Sequence, residues 1–145
     1  MLGRKGYAMA KVRPVDLATV PQLRPQDLRL LWVNDWYDGP VEGVVEHKNR
    51  RCLMVLQHHG DLARGDAYRW VVWNLSPEQL AEEERWHALF AKHVGDHWCT
   101  HDDTHPPPSE ADLDPERFYG PLRSRTPLDL SANEAVGWID ELPQR

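Results

Sequence analysis

Apolar and β-branched residues fall into short runs along this chain, and the period of each run predicts an element. Residues 28–33, LRLLWV, form the first strand candidate. The runs VEGVVEH (41–47) and RRCLMVL (51–57) flank Lys48-Asn49-Arg50 and predict a hairpin. Asn49 can take the positive φ that a tight turn demands. YRWVVWNL (68–75) is the clearest strand. Trp70 and Val72 fall on one face of it, and Val71, Trp73 and Leu75 on the other. Apolar side chains on both faces predict a central strand covered on both sides.

The period becomes helical after Leu75. Ser76-Pro77-Glu78-Gln79 supplies a capping hydroxyl, a proline for the first helical position and the glutamine of a capping box. The helix is expected to run over 77–94, where Gly95 can end it in the left-handed conformation. Residues 96–131 are rich in Pro and Asp, with one helical turn expected at 115–119. EAVGWIDEL (134–142) is open to two readings. Ser131 and Glu134 suit a helix cap, whereas Val136 and Trp138 alternate like a strand, and the strand is preferred. Residues 1–27 contain Pro14, Pro21 and Pro25 and read as an irregular basic arm before a single domain over 28–145. The expected fold is α+β: an antiparallel sheet of four to five strands, one main helix packed on a face, and the Pro-rich segment wrapped round an edge.

Composition narrows the class. A chain of 145 residues suits one domain and buries roughly 70% of its unfolded surface, so neither disulfide nor metal is needed for folding. The net charge of −6 argues against nucleic acid as a partner. Residues 1–30 carry six Lys or Arg against two Asp, and the remainder eleven basic against twenty-one acidic residues. The basic arm reads as solvated. Of the two cysteines, Cys52 lies in the run CLMVL and reads as core, and neither it nor Cys99 belongs to a CxxC pair. No run approaches the roughly 20 apolar residues of a membrane span. The N-terminus lacks the apolar stretch of a signal peptide, so a cytoplasmic location is expected. Met9 offers a second start. Seven Trp are more than is ordinary for this length; at least some must be core, and the excess hints at a binding face.

Three clusters carry candidate chemistry. On the helix, Leu80, Trp86, Phe90 and Val94 share one face, and Glu83 lands inside it with His87 one turn on. A carboxylate there is costly unless paired, so Glu83 and His87 form either a satisfied structural pair or the polar centre of a pocket. Glu82 and Glu84 point away and read as solvated. The second cluster is His93, His97, Cys99, His101, Asp102, Asp103 and His105. Such ligands suit zinc or a similar transition metal, with His97, Cys99 and His101 the foremost set and His87 or His93 a fourth. Their spacing matches no zinc signature, and a plain solvated loop is the competing reading. The third is Asn34-Asp35-Trp36-Tyr37-Asp38-Gly39-Pro40. Asp35, Trp36, Tyr37 and Asp38 form either a ligand or partner surface or ordinary turn chemistry. His58-His59 is a weaker candidate, and no phosphate loop, GxSxG elbow or HExxH motif occurs.

The segments WVNDWYDGPVEGVVEHKNRRCLMVL and LSPEQLAEEERWHALFAKHVGDHW resemble a loose group of small uncharacterised bacterial proteins. That group shares a D-G-P-x-x-G turn before a hairpin and an L-S-x-E-x-L-A-E-E helix. The resemblance spans roughly residues 29–98 and implies a bacterial origin and a single domain; it assigns no catalytic residue. The residues themselves favour a non-catalytic binding or accessory protein, possibly of immunity type, that uses an acidic Trp-rich surface to meet another protein without a cofactor. The alternative is a small metal-dependent enzyme or metal-binding protein centred on Glu83, His87 and the His-rich loop.

Overall fold

The computed structural model describes residues 9–36, 40–58, 68–95, 111 and 113–144, apart from the side chains of Asp35, Trp36 and Pro40. Five strands form one antiparallel sheet in chain order: β1 (Leu28–Trp36), β2 (Pro40–His47), β3 (Arg50–His58), β4 (Arg69–Asn74) and β5 (Ala135–Ile139). The β2–β3 hairpin closes through Lys48 and Asn49, with φ of 50° and 64°. Two successive positive φ values define the turn whose twist matches that of its strands. The main helix, α1 (Pro77–His93), starts at the Ser76 capping box and ends at Gly95, whose φ is 107°. A short helix, α2 (Glu116–Leu122), packs against α1.

Both faces of the sheet are covered. One carries Leu31, Trp32, Val44, Leu53, Val55, Val71 and Trp73 beneath α1, with Val12, Val15 and Leu17 of the arm also packed there. The other carries Leu30, Val45, Cys52, Met54, Trp70, Val72 and Ile139, and Leu23, Tyr68 and Leu142 pack onto it. Trp70 and Trp73 thus occupy opposite faces of an interior strand, as the alternation predicts. Beyond β5 the tail reaches the opposite edge of the sheet, where Gln144 C=O accepts from Leu30 N–H.

Two irregularities in β1 direct its side chains. The register with β2 skips Leu31, so Leu31 and Trp32 both face the helix side. It skips again at Asn34. Gly43, opposite Val33, permits this close approach: a Cβ there would lie 2.7 Å from the Trp32 carbonyl oxygen.

The expectation of a solvated arm is corrected over residues 9–27. This stretch has only two short 3-10 turns, yet it is bonded into the fold. Lys11 N–H donates to Leu128 C=O, and Leu130 N–H to Lys11 C=O, while residues 21–23 exchange backbone bonds with Trp138 on the free edge of β5. Arg13 donates to the carbonyls of Ser131 and Asn133 and lies over the Trp73 ring. The tryptophan surplus also has a structural outlet: Trp32, Trp70, Trp73 and Trp86 are buried.

Candidate functional site

Two carboxylates are enclosed between α1 and the sheet. Glu83 comes from the middle of α1 and is 1% exposed; Glu42 comes from β2 and is fully buried. The bulged Asn34 lies between them. Its Nδ2 donates to Glu83 Oε2 at 2.8 Å and to Glu42 Oε1 at 3.0 Å. Arg125, from the stretch after α2, donates through Nη2 to Glu83 Oε1 at 2.7 Å. Ala10 N–H donates to Glu42 Oε2 at 2.9 Å. Each of the four carboxylate oxygens therefore receives an internal N–H.

An aromatic layer adjoins this pair. His87 is buried and stacks on Trp32, with centroids 4.1 Å apart and planes 5° from parallel. Trp86 donates from Nε1 to Glu82 Oε1 at 2.8 Å, and the guanidinium carbons of Arg85 and Arg125 lie 4.7 and 5.3 Å from its ring centroid. Phe118 of α2 meets both Trp86 and Phe90 edge-on. Trp86, Phe90 and Phe118, with Asn34, His87 and Arg125, line a cavity of about 20 Å³, room for one water molecule. A wider hollow of about 440 Å³ lies between the start of β1 and the C-terminal tail, where Arg29 and Glu141 are among its walls.

Burial pushes the Glu83 carboxyl up to about 7, and the Glu42 charge adds to that, against the opposing pull of Arg125 and Asn34. Glu82 moves the other way: the Trp86 N–H, with Arg85 and Arg125, holds its carboxyl below the usual range. A carboxyl whose folded pKa exceeds its unfolded value contributes most to stability below the unfolded value, and that contribution is lost as pH rises through the folded one. For Glu83 the window is about 4.5 to about 7. We predict that the stability difference between the wild type and Glu83→Gln falls across this window, by on the order of 3 kcal/mol at 1.4 kcal/mol per pKa unit. Urea titrations of both proteins at several pH values check it; a constant difference would contradict the assignment. His47, which burial lowers, titrates in both proteins and cancels in the comparison.

Of the sequence candidates, Glu83, Trp86 and His87 come together here. Glu83 bonds to Asn34 and Arg125, on other parts of the chain. Two expectations are corrected: Glu82 holds Trp86 and Arg85, and Glu84 pairs with Arg51 at 3.2 Å, so neither is merely solvated. Asp35 and Trp36 lie at the end of β1, with side chains outside the described residues. Tyr37, Asp38, His59, His97, Cys99, His101, Asp102, Asp103 and His105 also lie outside them. His93 is buried at the end of α1, and His58 is exposed at the end of β3. Among the described residues, no three His, Cys, Asp or Glu side chains are placed to hold a metal ion.

Sequence reasoning missed Glu42 and Arg125 and gave Asn34 no role. Glu42 alternates with Val44 on one face of its strand, which is the signal that was available for it. Arg125 sits in RSRTP, where no period exists. Compared with known protein families, with curated proteins and with solved structures, the chain matches none.

Proposed function

We propose that this chain is a non-catalytic binding or accessory protein, of the kind that includes immunity proteins, and that its partner is another protein. The observation that carries the reading is the commitment of all four oxygens of Glu42 and Glu83 to internal N–H donors. A general acid or base must reach the proton it transfers, directly or through one water. Here the group with the best-placed titration serves to hold chain segments together, beside a cavity with room for a single water. The charge of −6 favours a basic protein surface over nucleic acid. No helix among the described residues is long and apolar enough to cross a membrane, and the cytoplasm is the proposed location.

Quantitative affinity enrichment of the tagged full chain from its host tests this reading, together with metal analysis of the purified protein. One protein should co-purify in near-stoichiometric amount, should rebind as a purified component, and should be released by salt as screening weakens charge pairing. Turnover of a substrate that is lost in a folded Glu83→Gln variant would overturn the reading. A full equivalent of tightly held metal, whose removal lowers the melting temperature, would favour the metal-dependent alternative.

A further inference from the structure

The hollow of about 440 Å³ at the start of β1 has two walls drawn from distant parts of the chain. One is the 3-10 turn Pro25–Asp27 with Leu28 and Arg29 after it; the other is the tail beyond β5, with Glu141, Leu142 and Gln144. Bonds within the fold fix both. Leu28 N–H donates to Pro25 C=O, and the Arg24 guanidinium donates twice to the Asp27 carboxylate, which stiffens the turn. Leu30 N–H, next along β1, donates to Gln144 C=O at 2.9 Å and joins the two walls. The volume lies within the roughly 300–1,000 Å³ of small-molecule sites.

Each wall carries one charged and one amide residue: Arg29 and Gln26 on the first, Glu141 and Gln144 on the second. Leu28, which is buried, and Leu142, which is half-buried, belong to the apolar cluster on the sheet face opposite α1. Arg29 is able to turn to a new anion. Its ion pair with Glu46 spans 3.6 Å, longer than a hydrogen bond, and joins two partly exposed side chains, so it contributes little.

A guanidinium suits a carboxylate, a carboxylate suits an ammonium group, and a primary amide both donates to and accepts from a peptide group. In a free amino acid the two charges share one carbon and leave the amides nothing to bind. A fatty acid has no use for Glu141. In a short peptide the charges stand at opposite ends with an amide between them. We propose that the hollow binds a short apolar peptide with free ends, its carboxylate on Arg29, its ammonium group on Glu141, its peptide group on Gln26 and Gln144, and an aliphatic side chain against Leu28 and Leu142. The site lies apart from Glu42 and Glu83 and does not rest on the protein-partner reading above.

Titration of the full chain with the dipeptide Leu-Leu, followed through the backbone amide shifts of Leu30 and Gln144, tests the proposal. Binding should saturate with a millimolar or tighter dissociation constant. Arg29→Gln and Glu141→Gln alter exposed residues and should keep the wild-type melting temperature. Each should weaken binding by about tenfold, the worth of a hydrogen bond to a charged group. C-terminal amidation of the dipeptide should cost the same on the wild type and nothing further on Arg29→Gln; N-acetylation should behave likewise with Glu141→Gln. Shifts that do not saturate would overturn the proposal, as would losses that simply add in either cycle. Free leucine binding as tightly as Leu-Leu would also overturn it. If a variant does not fold, the amidated and acetylated dipeptides on the wild type decide: binding as tight as that of the free dipeptide would refute the assigned contacts.

Discussion

Arg125→Ala is expected to destabilise the protein by about 3–5 kcal/mol at pH 8, the range for removing one partner of a buried ion pair. Two buried carboxylates would then face each other through one amide, without the guanidinium that now lies 2.7 Å from Glu83. The cost should shrink towards pH 5. There Glu83 can take a proton, and a neutral carboxyl beside Glu42 no longer needs the cation. At roughly 2–4 °C per kcal/mol for a chain of this size, the melting temperature should drop by roughly 10 °C at pH 8. Calorimetry of the variant and the wild type at the two pH values measures both numbers. A loss of the same size at both would show that Arg125 acts by packing on Trp86 rather than by charge.

Trp73→Ala should be as damaging, for an unrelated reason. The indole is fully buried, pairs across the sheet with Leu53 and Ala135, and receives the Arg13 guanidinium 4.8 Å from its ring centroid. Emptying that volume is expected to cost about 3–5 kcal/mol, a large part of a total stability of roughly 5–15 kcal/mol. It also removes the platform on which the arm is held. Trp73→Phe is the control. The indole N–H has no hydrogen-bond partner among the described residues, so Phe forfeits only part of the packing and should lose much less. Urea unfolding of the two variants distinguishes them; equal losses would mean that the ring does not fill the space assigned to it.

Much of the fold was legible because its elements obey simple periods. The hairpin at Lys48-Asn49, the capped helix ending at Gly95 and the opposed faces of Trp70 and Trp73 follow from local spacing alone. The burial of Glu83 was legible for the same reason, since its place on the helical wheel is fixed by its neighbours. The candidate site was less so. In LRLLWV, strict alternation would put Leu31 and Trp32 on opposite faces, and the skipped register at Leu31 brings them onto one. The second skip, at Asn34, aims an amide between two carboxylates that are 41 residues apart in the chain. A bulge is a relation between two strands, so neither strand announces it alone. Arg125 and the arm depend on contacts over much longer separations, for which no local period exists.

The pairing of the arm with the far end of the chain has a consequence for synthesis. Lys11 leaves the ribosome well before Leu128 and Leu130 have been made, and Pro21 and Leu23 before Trp138. Domains otherwise begin to fold from the N-terminal side during translation. Here the arm must wait, with Val12, Val15 and Leu17 lacking the apolar neighbours that later cover them. The hairpins of β1 to β4 join neighbours in sequence and can form meanwhile, whereas the clasp must close a loop of more than a hundred residues, a step of high contact order. During elongation the arm therefore carries these three apolar side chains with their receptor still unmade.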